Sequence, residues 1–332
     1  MIGLPRRGRG RQSAAAQLRW EAELSEFCVW IRQINSALDF QVSSRGWAYL
    51  LENARTITKG DLDEAQHLVN DCRKSGLLPL EICAADEKRE TECLEVLDPD
   101  DIEAVADAIV AYADRAHETY TPLSFWDELP VYIEMLVEKI DLKNLFRPVC
   151  EEFHVAFANG GGWADIRGRA KIMRRFAAAE RRGQQSILLY CGDHDPGGLN
   201  ISDDLRSNLE DLERAVGWRP DRLIIDRFGL NYDFIEREGL TWIDNLETGS
   251  GARLDDPRHP DYRKPYVQDY MRRFGVRKVE ANALVVRPAA GRELCRRAIE
   301  RYLPPSAQAR YQERLAQVRA ELCEAIDRRL GR

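Results

Sequence analysis

The feature that most constrains this chain is an alternation of short apolar segments with helix-length segments from residue 130 onward. The predicted strands are residues 131–137, 155–158, 186–191 and 222–225, and the helices between them are residues 141–153, 166–182 and 199–216. Parallel neighbouring strands need a crossover connection, which is usually a helix. The sequence therefore predicts an α/β fold with a parallel sheet flanked by helices.

The N-terminal third has a mainly helical pattern. Apolar spacing and capping residues predict helices over residues 14–38, 45–53 and 58–76, with Ser43 or Ser44 and Thr58 as N-caps. Residues 77–84 follow as a predicted strand. Two helices and a strand in this order are typical of a winged-helix-like DNA-binding domain, although an ordinary small helical domain gives the same pattern.

These patterns divide the chain into four predicted parts. They are a basic flexible tail (1–13), a winged-helix-like domain (14–120), an α/β domain (121–303) and a C-terminal helix (304–332). The arginines of the tail make it either a simple flexible end or an arm that contacts phosphate. An acidic stretch over residues 81–107 is predicted to include a solvated linker.

Charge and cysteine usage narrow the class of protein. The formal net charge is -7, which argues against a general nucleic-acid coat protein but leaves room for a DNA enzyme with a local basic track. The eight cysteines form no C-x-x-C pair, so a zinc site and a disulfide framework are not expected. We expect a reducing cytoplasmic location, and no apolar run has the length of a membrane span.

Acidic side chains follow two of the predicted strands. Strand 186–191 runs directly into Gly-Asp-His-Asp-Pro-Gly-Gly, which places Asp193 and Asp195 at its carboxyl end, where open α/β sheets bind ligands. Glu138 follows strand 131–137, and a parallel sheet brings that end alongside. Three carboxylates at close range favour a hard cation such as Mg²⁺. An Asp-x-Asp before Pro-Gly is also a common turn.

The order of these elements resembles the Toprim domain of topoisomerases, primases and some nucleases. The similarity is greatest to the A subunit of type IIB DNA topoisomerase (topoisomerase VI) and the related meiotic double-strand-break protein, over roughly residues 125–290. It implies that Glu138, Asp193 and Asp195 bind Mg²⁺ and that Glu138 takes part in catalysis. It continues into residues 279–284, where Glu280 is either a further acidic group of the site or a residue with a helix-capping or structural role.

Two neighbours of the acids have open roles. His194 is a metal or phosphate ligand, or it points away from the site, as a residue between two ligands usually does. Lys139 contacts phosphate or pairs with a carboxylate.

In the topoisomerase relatives, an arginine and a tyrosine four residues later on a winged-helix domain form the nucleophile motif. Arg45 and Tyr49 match it, and residues 86–89 also resemble a family stretch. The resemblance implies that Tyr49 attacks a DNA phosphate and that Arg45 binds it. Ala48 replaces the usual aromatic residue, and the alternative is that Tyr49 belongs to the core beside Trp47.

The predicted function is Mg²⁺-dependent cleavage of double-stranded DNA by tyrosine transesterification, with a covalent protein–DNA link. A homodimer is expected because two copies cut two strands. No ATP-binding glycine-rich loop occurs, so ATP-driven strand passage would require a separate ATPase subunit. The alternatives are a Toprim nuclease that hydrolyses DNA, in a plasmid or phage defence system, and a non-catalytic DNA-binding assembly protein.

Overall fold

The computed structural model describes residues 3–8, 12–84, 101–121, 123–160, 165–248 and 252–330. The chain divides into a larger unit, Met1–Ala85 with Tyr132–Ile299, and a smaller unit, Asp86–Val131 with Glu300–Arg332. The four-part division drawn from the sequence stays a prediction. Residues 86–89, which resemble a family stretch, lie outside the described residues, as does much of the acidic linker.

The described residues contain twelve α-helices. They are α1 (Ala14–Ser36), α2 (Ser44–Asn53), α3 (Leu62–Lys74), α4 (Ile102–Thr119), α5 (Ile140–Glu152), α6 (Ile166–Arg181), α7 (Pro196–Glu210), α8 (Glu213–Val216), α9 (Tyr232–Glu238), α10 (Pro265–Phe274), α11 (Pro288–Glu300) and α12 (Ala307–Leu330). Short 3-10 helices lie at Lys59–Asp61, Leu80–Ile82, Pro220–Arg222 and Ala281–Val286. None of the helices described is long and apolar enough to cross a membrane.

Four parallel strands form the sheet of the larger unit. They are β1 (Val131–Val137), β2 (Ala156–Asn159), β3 (Gln185–Cys191) and β4 (Ile224–Gly229), in the order β2-β1-β3-β4. The central strands β1 and β3 are buried along almost their whole length, as expected of strands covered on both faces. The predicted α/β class with a parallel sheet flanked by helices is confirmed.

Helix α2 begins at the predicted cap Ser43, whereas Thr58 caps the 3-10 helix Lys59–Asp61 and α3 begins only at Leu62. The Ser43 side chain accepts a hydrogen bond from the Gly46 N–H at 3.1 Å, and Thr58 forms a capping box with Asp61. Helix α2 is buried over most of its length against α3 and the 3-10 segment Ala281–Val286. This packing joins the N-terminal helices to the sheet in one compact unit, because buried Asp141 of α5 also accepts hydrogen bonds from Ser43 and Asn282.

The predicted strand over residues 77–84 is wrong. The segment contains the 3-10 helix Leu80–Ile82, and the structure assigns no strand to residues 77–84. The N–H groups of Leu77 and Leu78 both bond the Cys72 carbonyl at the end of α3, and Pro79 has no N–H to give. No donors at these three positions remain for a ladder, so the strand of a winged-helix unit is not formed here.

The described part of the N-terminal tail contacts helices of its own unit. Arg6 pairs with Asp61 and, at 3.0 Å, with Glu64, and the Arg7 guanidinium lies over the Trp20 ring. In the smaller unit, α4 and α12 pack together, and Phe125 makes an edge contact with Tyr311 at 5.4 Å between ring centroids.

Candidate functional site

A cleft of about 670 Å³ opens at the carboxyl edge of the sheet in the larger unit. Its walls come from three parts of the sequence. They are the N-terminal helices (Arg45, Lys59, Gly60, Leu62, Asp63), the strand ends (Glu138, Lys139, Asp193, Asp195) and a later loop region (Ile243, Asp244, Asn245, Glu247, Thr248, Lys278, Glu280). The three carboxylates predicted as metal ligands therefore line one cleft, and Arg45 lines it too.

The ammonium group of Lys139 forms ion pairs with both Glu138 and Asp193. The Lys139 ammonium lies 2.7 Å from Glu138 Oε1 and 3.0 Å from Asp193 Oδ2. The other oxygens of both carboxylates accept backbone N–H groups, since Asp193 N lies 2.8 Å from Glu138 Oε2 and Ala281 N lies 2.7 Å from Asp193 Oδ1. The two oxygens with an ionic partner are thus the two that meet at Lys139.

Glycines allow this close approach. A Cβ at Gly192 would lie 2.6 Å from Glu138 Oε2, and one at Gly198 would lie 2.1 Å from the Asp193 carbonyl oxygen. Asp195 is the N-cap of α7, where its Oδ1 accepts the Gly198 N–H at 2.6 Å. The Gly-Asp-His-Asp-Pro-Gly-Gly segment is therefore both a turn and the start of a helix.

Burial and mutual repulsion separate the acidities of these carboxyl groups. Burial and the Glu138 charge raise the pKa of Asp193 to about 7, against the opposing effect of Lys139. Burial alone would raise the pKa of Glu138, but Lys139 and the Asp193 N–H outweigh it, so that pKa lies below its usual range. The pKa of Asp195 is raised, chiefly by burial. Divergent pKa values in one cleft are typical of functional carboxyl groups.

The residues of the cleft fit a magnesium ion held by two carboxylates. Among the described residues, no three His, Cys, Asp or Glu side chains converge as a ready-made metal site. The carboxylates of Glu138 and Asp193 are nevertheless close enough for both to pair with the Lys139 ammonium. Mg²⁺ is usually bound by one or two carboxylates with water and phosphate completing the shell. Asp195, the third predicted ligand, lines the same cleft.

The predicted nucleophile lies beneath the cleft wall. Tyr49 is 0% exposed, and its hydroxyl donates a hydrogen bond to Glu280 Oε2 at 3.1 Å. Arg45 lies over the Tyr49 ring at 5.5 Å and donates from Nε to the same Glu280 oxygen at 2.9 Å. Burial and the Glu280 charge raise the pKa of the Tyr49 hydroxyl well above its ordinary value. Glu280 thus lines the cleft and holds both members of the predicted motif.

His194 points away from the acids. Its Nδ1 lies 3.2 Å from the Tyr270 hydroxyl, and its ring lies against Trp242 and Phe274 at centroid distances of 5.5 and 4.7 Å. Burial and nearby Arg227 lower its pKa to about 4, so it is neutral at pH 7. Of its two open roles, the structural one agrees with this position.

Sequence reasoning missed the loop side of the cleft. Lys278 and residues 243–248 line it, and Lys59 pairs with Asp244 across 185 positions of sequence. No local pattern announces such a pair. The segment around Glu280 did carry a signal, because it followed the acids in the family resemblance.

Comparisons of the chain with protein-family models, with curated proteins and with solved structures returned no match.

Proposed function

We propose that this cleft is the active site of a Toprim-type, Mg²⁺-dependent enzyme that cleaves the phosphodiester backbone of double-stranded DNA. The observation that carries the proposal is that the carboxylates of Glu138 and Asp193 meet at the Lys139 ammonium at the carboxyl edge of a parallel sheet. Asp195 lines the same cleft. Such sites lie where α/β sheets bind ligands. A bound magnesium ion would neutralise charge on the scissile phosphate.

The chain's own cations would orient the substrate. Arg45, Lys139 and Lys278 line the cleft beside the carboxylates, and each is positioned by an acidic partner. A DNA phosphate entering the cleft offers these side chains a second anion. Charge-assisted contacts of this kind fix the position of a phosphodiester before any bond breaks.

Water is the nucleophile that the geometry favours. The Tyr49 hydroxyl is buried, donates to Glu280 and has a raised pKa, three properties that oppose attack on phosphate. Tyrosine transesterification is the second candidate, because Arg45 contacts both the Tyr49 ring and the cleft. Under either chemistry we propose a homodimer for cutting both strands, and strand passage would need a separate ATPase subunit.

A Tyr49→Phe variant distinguishes the two chemistries. We expect it to retain cleavage within about threefold of the parent chain, because the ring stays and only the hydrogen bond to Glu280 is lost. The assay is denaturing electrophoresis of a labelled duplex with Mg²⁺. DNA attached to protein in the parent lane but absent from the Tyr49→Phe lane would instead establish transesterification. Absence of cleavage by the parent chain, with DNA binding kept by Asp193→Ala, would support the non-catalytic assembly protein.

Lys139 tests the metal part of the proposal. Its ammonium bonds the two carboxylate oxygens that a metal ion would need, so it competes with the ion. We expect Lys139→Met to bind Mn²⁺ in the absence of DNA at least tenfold more tightly than the parent chain, a gain of about 1.4 kcal/mol. Titration calorimetry measures this, with Lys143→Met on α5 as the control. Equal or weaker binding by Lys139→Met would contradict the prediction.

A further inference from the structure

Helix α6 lies in a strongly basic part of the chain. Residues 165–182 contain seven basic and two acidic residues, although the whole chain has a formal charge of -7. The helix packs on the sheet through its apolar face, where Ile172, Met173 and Phe176 are buried. The basic residues therefore need an explanation that the packing of α6 does not supply.

The basic residues divide into two groups with different environments. Arg169 donates to the Asn208 carbonyl, and Arg175 forms a two-pronged ion pair with Glu134 of β1. Arg182, at the end of the helix, donates to the side-chain oxygen of Gln184. The other four project on the face opposite the buried one, because successive residues of an α-helix are rotated by about 100° about its axis. We call these four exposed side chains the α6 stripe: Arg167, Lys171, Arg174 and Arg181.

The α6 stripe has no counter-charge among the residues that the structure describes: none of its four members forms a hydrogen bond or ion pair with them. Some exposed arginines on other helices are paired within one turn, as Arg272 is with Asp269 and Arg297 with Glu293. Like charges three and four residues apart destabilise a helix by a few tenths of a kcal/mol each. Among the described residues, no ion pair offsets this repulsion within the stripe.

The stripe begins at the edge of the sheet that carries the cleft. Register pairs Val137 with Asn159, so β1 and β2 end together at that edge, and α6 starts the return to β3. From Arg167 to Arg181 the helix rises roughly 21 Å. B-form DNA carries one negative charge for about every 1.7 Å of its axis, so one side of a duplex offers phosphates along this whole length.

We propose that the α6 stripe binds the phosphate backbone of duplex DNA on its way to the cleft. The inference rests on the proposed function, which it deepens by naming the surface that holds the substrate outside the active site. Contacts of arginine and lysine with phosphate are independent of sequence and release counterions. Binding through the stripe is therefore strongly dependent on salt and weakly dependent on base sequence.

The test is a triple variant, Arg167→Gln with Lys171→Gln and Arg174→Gln. Glutamine keeps helix propensity, so the fold is expected to survive. Fluorescence anisotropy with a labelled 30-base-pair duplex in EDTA measures Kd over a range of salt concentrations without cleavage. We expect at least tenfold weaker binding near 0.1 M salt, with the slope of log K against log salt shallower by about two to three.

The matched control removes the same charge from the smaller unit, by Arg310→Gln with Arg328→Gln and Arg329→Gln. Equal weakening by the two triple variants, or an unchanged slope in the stripe variant, overturns the inference. Stripe-dependent binding that is tighter to an RNA duplex of the same length overturns its assignment to DNA. If DNA binding depends on the stripe but the chain never cleaves DNA with Mg²⁺, the inference stands and the proposed function is refuted. If the chain cleaves DNA and binding does not depend on the stripe, the proposed function stands and the inference is refuted.

Discussion

An Asp193→Asn variant is expected to lose roughly 10²- to 10³-fold of the Mg²⁺-dependent cleavage of DNA. The asparagine oxygen can still accept the Ala281 N–H, so the local backbone is kept. The substitution replaces the carboxylate that pairs with Lys139, beside Glu138, by a neutral amide. The site then has one carboxylate fewer to hold a cation against the phosphate.

The measurement is the initial rate of cleavage of a labelled duplex, with circular dichroism to confirm the fold. Asp203→Asn on the exposed side of α7 is the matched control, because it makes the same chemical change away from the cleft. A rate for Asp193→Asn within about threefold of the Asp203→Asn rate would remove Asp193 from the reaction, and with it the central carboxylate of the proposed site.

Gly198→Ala is expected to destabilise the fold by about 2–3 kcal/mol and to abolish cleavage. The new Cβ would lie 2.1 Å from the Asp193 carbonyl oxygen, which is backbone and cannot turn away. That oxygen also accepts a hydrogen bond from Arg227, whose Nε bonds the Gly198 carbonyl at 2.7 Å. Displacement of the carbonyl would therefore disturb the loop that carries both aspartates.

Gly197→Ala is the control for this substitution. A Cβ there meets its nearest atom, Asp195 Oδ1, at 3.6 Å, which is an ordinary contact. Alanine is also preferred to glycine inside a helix by about 0.5–1 kcal/mol, so this variant is expected to be neutral or slightly more stable. Urea unfolding of both variants gives the comparison, and equal midpoints would contradict the crowding argument.

The sheet was predictable because its signals are local. β1 matches its predicted range, and β3 and α6 differ from theirs by one residue at one end. An apolar run followed by glycine and acids marks a buried strand and its end in any context. β4 was predicted too early, at residues 222–225, because Pro220–Arg222 forms a 3-10 turn before the strand starts at Ile224.

The strand predicted for residues 77–84 shows where local pattern is insufficient. Apolar residues such as Leu77 and Leu78 suit a strand, but a strand exists only with a partner for its N–H and C=O groups. In the folded chain their N–H groups close the end of α3 on the Cys72 carbonyl instead. Which of these two sets of hydrogen bonds forms depends on which segments of the folded chain pack beside residues 77–84.

The sequence by itself determined which residues end the strands of the sheet, and hence that Glu138, Asp193 and Asp195 lie at one edge. Only the tertiary structure decided how their neighbours are used. Tyr49 and Glu280 are 231 positions apart, and their hydrogen bond depends on α2 packing against a distant 3-10 segment. Side-chain periodicity is encoded locally, whereas the pairing of buried charges is set by which surfaces the core brings together.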